Sequence, residues 1–455
     1  MLAALALLLS LPTASAPSAS AGDDVLVVDI GQADNVRVEA LKHGTGVRWW
    51  LELGDRLVIA GDREPLMSLA GKRDLLGELS GVTSGELALR ARGCAEHPGD
   101  AGTLIARGGR WELRRFAAGE ARPAFVTDAH GGWRAFAPNT VVSRQYRLEG
   151  IAPAAADPEI QPIVDAIDTA RWFADVTTLA GWDRSSYGTT SLTAARDWIG
   201  TQFAGLGLAV TKPTFTMPGT GGTITRSNVV GTWTGTDLPN EWVVVGGHYD
   251  SRNQTASSTT NTPGAEDNAT GCAGVIEMAR ALVPNRPRRS VVFMCYAGEE
   301  QSLYGSKAHV AELQANGDLA KVRSVVIMDM IGYSANNVLN ADYETYATHS
   351  AYMNKFAAAA ATYVPALQVT LSTNPFGSDH MPYLGAGKPT VLAIESDYDV
   401  YPHYHKSTDL PANIGPNAQA MGGAILKTNV AVLADETGTT AQPAVTDRIF
   451  EDGFE

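Results

Sequence analysis

The chain of 455 residues is 44% apolar and 18% charged, the proportions of a globular protein that buries a full core and is neither disordered nor fibrous. Its 46 Gly and 23 Pro follow no tripeptide period, and no apolar run reaches the roughly eighteen residues of a membrane helix. With 35 Lys and Arg against 49 Asp and Glu, the formal charge of -14 opposes phosphate backbones and anionic lipid surfaces, so neither nucleic-acid binding nor stable membrane insertion is expected.

Residues 2–11 form an apolar stretch followed by Pro12 and a run of Ala, Ser and Thr, the pattern of a secretory signal peptide over residues 1–21. Pro17 follows the first small-residue exit, so cleavage is expected after Ala21, although no Lys or Arg precedes the apolar core. A secreted or periplasmic location follows as an expectation. Cys94, Cys272 and Cys295 are too few for a disulfide framework. Cys272 and Cys295 read as small buried residues, with a bridge between them left open.

Residues 22–150 are strand-like and Gly-punctuated, as in Val25 to Val28 and Arg56 to Ala60, and offer no clustered acid, base or nucleophile. His43, His97 and His130 have no ligand spacing around them. This part reads as a smaller β-rich domain, a pro-region or accessory unit. An Ala- and Pro-rich break at 151–158 opens a second domain, 151–434. There, apolar strands expected at 242–247, 291–296, 325–328 and 390–394 alternate with helices expected at 273–282, 306–313 and 419–433. Wholly apolar strands between helices imply an α/β three-layer sandwich around a mostly parallel, mixed sheet. Residues 435–455 read as a linker and an acidic, aromatic tail resembling that of many exported bacterial proteins, a hint of sorting or processing.

The chemistry-bearing residues follow the apolar strands, where open α/β sheets build their sites. They are His248 and Asp250, then Asp267, then Glu299 and Glu300, then Asp329, and finally His405 and Asp409. Two imidazoles and several carboxylates, without a thiolate, suit a pair of borderline divalent cations such as zinc that share one carboxylate. Adjacent carboxylates directly after a buried strand are costly unless a positive charge meets them.

These residues carry a resemblance to a known family. Gly-Gly-His248-Tyr-Asp-Ser, Pro-Gly-Ala-Glu-Asp267-Asn-Ala-Thr-Gly, Tyr-Ala-Gly-Glu299-Glu300, Met-Asp329-Met, Gly-Ser-Asp-His380 and Tyr-His405 resemble the secreted bacterial leucyl aminopeptidases, zinc exopeptidases with a two-metal site. The segment from Ser186 to Trp198 resembles the family's domain entry, so the likeness spans residues 165–433. It implies two zinc ions per chain, with Asp267 bridging, His248 and Asp329 completing one position, and Glu300 and His405 the other. It implies Glu299 as general base on a metal-bridging water, and Asp250, His380 and Asp409 as residues supporting the ligands. The substrates implied are peptides with a free N-terminus and an apolar first residue, the enzyme being a monomer.

Met330, Phe376, Tyr383, Tyr398 and Tyr401 flank the ligands and are candidates for a substrate pocket, although core packing explains them nearly as well. His309 and His403 read as bystanders, and Ser378-Asp379-His380, being contiguous, cannot converge as a nucleophile triad. Asn253 and Asn268 match a glycosylation pattern, discounted at Asn268 because it adjoins Asp267. The loop 371–377 lacks the cysteine pair of some relatives, which leaves side-chain preference open. A cyclase relative with a single metal is set aside because the full ligand set is present, and two other readings stand beside the aminopeptidase. One is a carboxypeptidase or other amidohydrolase, for which Arg252 offers the cation a substrate carboxylate needs; the other is an inactive binding protein that keeps the fold.

Overall fold

The computed structural model describes residues 22–31, 33–91, 101–109, 111–125, 132–148, 153–375 and 377–441. The expectations placed on the signal segment, Cys94, His97, His130, Phe376 and the tail beyond residue 441 lie outside the described residues.

The N-terminal region runs β1 (Asp23–Asp29), α1 (Asn35–Lys42), β2 (Val47–Gly54), β3 (Arg56–Gly61), α2 (Arg63–Ala70), β4 (Leu75–Val82), β5 (Leu87–Ala91), β6 (Thr103–Gly108), β7 (Trp111–Arg115), β8 (Gly132–Ala135) and β9 (Thr140–Tyr146). Alternation along the strands serves two cores. Val25 and Val27 of β1, with Leu51 and Leu53 of β2, pack against Leu89 and Leu113 of a separate sheet ordered β6-β7-β5-β8. Leu26, Val28, Leu57 and Ile59 face the other way, onto Leu41 of α1 and Leu66 of α2. The purely strand-like expectation missed these two helices. They are only eight residues long, and α1 is set by a local cap, the Asp34 carboxylate accepting the Arg37 N–H at 2.7 Å, more than by apolar periodicity.

The second region continues α3 (Gln161–Asp165), α4 (Thr169–Ala180), α5 (Thr190–Gly205), β10 (Ala209–Thr211), β11 (Thr214–Gly219), β12 (Gly222–Ser227), β13 (Val229–Trp233), β14 (Leu238–His248), α6 (Thr270–Leu282), β15 (Arg289–Tyr296), α7 (Tyr304–Ala315), β16 (Val322–Met328), β17 (Asn340–Glu344), α8 (Ser350–Tyr363), β18 (Gln368–Ser372), α9 (His380–Gly385), β19 (Thr390–Glu395), α10 (Pro411–Ile414) and α11 (Ala418–Thr437). Each expected strand and helix is present, extended by up to four residues at an end. Helix α11 runs on to Thr437, past the expected linker start at 435.

One mixed sheet contains thirteen strands in the order β10-β13-β15-β14-β16-β19-β17-β18-β9-β2-β3-β1-β4. Its centre, β15-β14-β16-β19, is parallel. Val291, Phe293 and Cys295 of β15 enter one core with Trp172 of α4 and Leu426 of α11, while Val292, Met294 and Tyr296 enter the other with Val310 of α7 and Tyr383 of α9. Burial on both faces explains why the strands read as unbroken apolar runs. This is the α/β layered architecture expected.

Strand β9 joins the two regions. It pairs in parallel with β2 and antiparallel with β18 through Leu371 with Tyr146 and Ser372 with Gln145. Arg144 adds a bidentate pair to the buried Glu52, at 2.7 and 3.0 Å. The β-rich region is therefore continuous with the central sheet.

Cys272 of α6 and Cys295 of β15 form a disulfide, with Cα atoms 5.7 Å apart. This replaces the reading of two separate buried thiols. Both side chains are at 0% exposure on facing elements, a juxtaposition that neither local pattern shows.

Candidate metal centre

The carboxyl end of β14 delivers His248 and Asp250, that of β15 leads to Glu299 and Glu300, and Asp329 follows β16. Asp267 stands in the irregular turn before α6, where the Asp267–Asn268 peptide is cis, and His405 in the loop before α10. Parallel strands ending at one edge bring these side chains, up to 157 positions apart in sequence, into one buried cluster.

Asp267 is its centre. His248 Nε2 lies 3.2 Å from Asp267 Oδ1, and His405 Nε2 lies 3.0 Å from Asp267 Oδ2. His248 Nε2 is also 3.5 Å from Asp329 Oδ1, and His405 Nε2 is 3.1 Å from Glu300 Oε2. Each carboxylate oxygen of Asp267 thus faces its own imidazole and carboxylate. Glu299 Oε2 lies 4.0 Å from His248 Nε2, on the Asp329 side.

The supporting contacts fix these groups. Asp409 accepts the backbone N–H groups of Glu266 at 2.9 Å and Asp267 at 3.1 Å, and takes the Tyr401 hydroxyl hydrogen at 2.7 Å. Asp250 holds His248 as expected, and holds the Glu299 segment as well. Its backbone carbonyl is the nearer partner of His248 Nδ1, at 3.1 Å against 3.6 Å for its carboxylate. That carboxylate instead accepts the Glu299 N–H at 3.3 Å and the Ser186 hydroxyl at 2.8 Å, while Ser186 Oγ accepts the Gly298 N–H at 2.9 Å. Ser378 donates to Asp329 Oδ2 at 2.6 Å. Ser186 and Ser378 thus join the site, which their residue type alone does not announce. Their sole sequence signal is their place in motifs carrying the resemblance.

Several candidates fall elsewhere. His380 is fully buried and its Nε2 lies 3.2 Å from Glu344, so it supports β17 and not a metal ligand. Tyr383, at 0% exposure, shares its hydroxyl with Tyr296 at 2.7 Å and His309 at 2.5 Å in a core network, which removes it from the pocket wall. Tyr398 lines a cavity of about 330 Å³ between the N-terminal region and residues 396–400, away from the ligands. Met330 and Tyr401 are buried beside the cluster, Met330 donating its backbone N–H to Asn268 at 3.2 Å. His403 bonds Thr408 at the surface, as a bystander should. Asn268 is at 0% exposure with its amide nitrogen on the Met328 carbonyl, and is no glycan acceptor.

Electrostatics follow from burial. Desolvation pushes Glu299 well above the usual carboxylate range, opposed by His248 and reinforced by Asp329. Burial raises Glu300 to about 7, and the charge of Asp267 adds to the rise. Burial also disfavours ionised Asp267, but the facing imidazoles of His248 and His405 hold it below its ordinary range. For both imidazoles burial opposes protonation, and the surrounding carboxylates outweigh it and raise them.

The donor set fits divalent cations. Among the described residues, His248 Nε2, His405 Nε2, Asp329 Oδ1 and both Glu300 oxygens are buried without a formed hydrogen bond. Such inward-facing nitrogen and oxygen donors are costly unless something positive meets them, and imidazole with carboxylate suits zinc. His248 with Asp267 and Glu300, and His248 with Glu299 and Asp329, place ligand atoms within 4.8 Å of one another.

Residues 228–429 match the profile of Peptidase family M28. Over this stretch the chain is similar to M28 peptidase domains. A probable zinc metalloprotease of Pyricularia oryzae is 35% identical over 205 residues, 42% of this chain and 40% of that protein. The chain spans less than half the length of such curated relatives, and their occurrence in fungi shows that the likeness is not confined to bacteria. The fold is shared with the LapA aminopeptidase of Legionella pneumophila at TM-score 0.52 and 17% identity, over 77% of this chain and 98% of that one. It is shared equally with a glutaminyl cyclase of Macrostomum lignano, at TM-score 0.54 and 17% identity, over 65% and 97%.

Proposed function

We propose that this chain is a zinc-dependent aminopeptidase that hydrolyses the N-terminal peptide bond of peptides, preferring apolar first residues. The division of Asp267 between two imidazole and carboxylate pairs carries the reading, because it describes two cation positions sharing one carboxylate. His248 and Asp329 would hold one zinc, Glu300 and His405 the other, and Asp267 both. When bound, the pair supplies Lewis-acid polarisation of the scissile carbonyl and acidifies a water.

The protein's own part centres on Glu299. Its backbone is pinned by Asp250, and burial gives its carboxylate a high proton affinity. Glu299 takes a proton from the attacking water as the new C–O bond forms, then delivers it to the departing amine nitrogen as the C–N bond breaks. The remaining carboxylates provide negative charge for a free N-terminal ammonium.

Hydrolysis of leucine p-nitroanilide, measured before chelation, after it and after zinc is restored, tests the reading beside the N-acetylated substrate. Zinc-dependent cleavage of the free-amine substrate alone is expected. Equal cleavage of the acetylated form, or none of either by protein holding two metals, would overturn it.

We further propose export. The apolar segment at 2–11 motivates this, and the Cys272–Cys295 disulfide supports it, since such bonds persist in oxidising compartments. Protein recovered outside the cytoplasm and beginning at Gly22 is the expected result; an intact first segment on cytoplasmic protein is the contrary one.

A further inference from the structure

Arg184 is fully buried, yet it forms no ion pair among the described residues. Removing a guanidinium from water is costly unless its donors are met. Here they are met by carbonyls. Nε donates to Tyr249 O at 2.7 Å, Nη1 to Leu179 O and to Pro263 O at 2.6 Å, and Nη2 to Gly264 O at 2.7 Å.

These acceptors are not scattered. Tyr249 lies between His248 and Asp250, and Gly264 stands three positions before Asp267. Leu179 belongs to the last turn of α4, where carbonyls lack helical partners and favour a cation. The backbone is shaped to the contact as well. Gly264 has φ +50°, and a Cβ there would stand 2.3 Å from Ser251 Cβ and 3.2 Å from Arg184 Nη2. Ser251 completes the tie, donating its N–H to Arg184 O at 3.2 Å and its hydroxyl to Thr262 O at 2.6 Å.

We infer that Arg184 is a positioning residue: its planar fork locks the segment carrying His248 to the segment carrying Asp267 before any cation arrives. This rests on the two-metal reading above. The guanidinium also places a permanent positive charge behind a crowd of carboxylates, and Asp409, Asp250, Asp267 and Glu300 all act on it. Burial lowers its pKa only to about 10, so it stays charged at neutral pH. Lysine would keep the charge but not the geometry, because one ammonium cannot span four carbonyls that a guanidinium fork reaches in a plane.

The test compares native protein with Arg184→Lys and Arg184→Met. Zinc dissociation constants come from chelator competition on metal-free protein, and kcat and KM for leucine p-nitroanilide are measured at saturating zinc. Both variants should bind zinc at least about tenfold more weakly, with kcat reduced and KM changed less than about twofold. A folded Arg184→Lys protein with native zinc affinity and native kcat overturns the inference while leaving the two-metal reading standing. A native chain that takes up no zinc refutes that reading itself and the inference with it. Should neither variant fold, exchange of the Arg184 Nε hydrogen in native, metal-free protein decides: slow exchange supports the preformed lock, and fast exchange that slows only on adding zinc overturns it.

Discussion

Ser378 donates its hydroxyl hydrogen to Oδ2 of Asp329 at 2.6 Å, which turns the other oxygen, Oδ1, toward His248 Nε2. A carboxylate free to rotate would spend part of its time with the wrong oxygen inward. Ser378→Ala should therefore leave the fold intact and weaken zinc at the His248–Asp329 position by about 10- to 100-fold. Titration of metal-free protein with a competing zinc indicator reads this directly, and unchanged affinity at both positions would refute it.

Glu299→Gln separates proton transfer from metal holding. The amide keeps the size of the side chain, and the proposed ligands His248, Asp267, Asp329, Glu300 and His405 are untouched. Two zinc ions per chain should remain by elemental analysis while kcat falls by about 10²–10⁴. Undiminished turnover would remove Glu299 from the role of base.

Stability should depend on pH through Asp342, which is remote from the ligands. Burial pushes its carboxyl from 3.8 to about 7, helped by the charges of Glu344, Asp55 and Asp399 and opposed by the Ser396 hydroxyl at 2.7 Å. Gln145 Nε2 donates to the same carboxylate at 3.1 Å. Because the folded state binds this proton more tightly than the unfolded state, the contribution is fully present below about pH 4 and is lost as pH rises toward 7. Asp342→Asn should raise Tm at pH 8, by an amount on the order of a few kcal/mol in stability, and do little at pH 4. Equal effects of the substitution at both pH values would contradict this.

Gly422→Ala tests packing. In a helix interior this change ordinarily stabilises by up to about 1 kcal/mol. In α11, however, the new methyl would stand 2.1 Å from the ring of Trp172, which is fully buried and tied by its indole N–H to Thr270 O at 3.0 Å. Overpacking should win, and the variant should lose about 1–3 kcal/mol in urea unfolding. A gain in stability would show that Trp172 yields.

The ligand cluster and the parallel core were legible because they share a physical cause. A strand covered on both faces is apolar throughout, so His248, Glu299, Glu300 and Asp329 stand out as the first polar groups where cover ends. What could not be read were contacts that depend on how distant loops meet. Arg184 looks like any arginine in a polar turn, and Ser186 reaches Asp250 across 64 positions. The Cys272–Cys295 bond and the diversion of Tyr383 into a network with Tyr296 and His309 belong to the same class. In the N-terminal region the sequence showed strands but not the two short helices over them, since eight residues hold barely two turns of apolar period.

Strand β9 also sets an order of assembly. Its partner on one side, β2, is made before it, but β18 begins at Gln368, more than two hundred residues after Tyr146 leaves the ribosome. Until then β9 is an edge strand with unpaired amides and carbonyls, a template for pairing with other chains. The exposed Arg147 just beyond it and the half-buried Arg144 within it place charge along that edge during the wait. Closing so distant a contact is slow, so the strand pair that turns two parts of the chain into a single sheet forms late in biosynthesis.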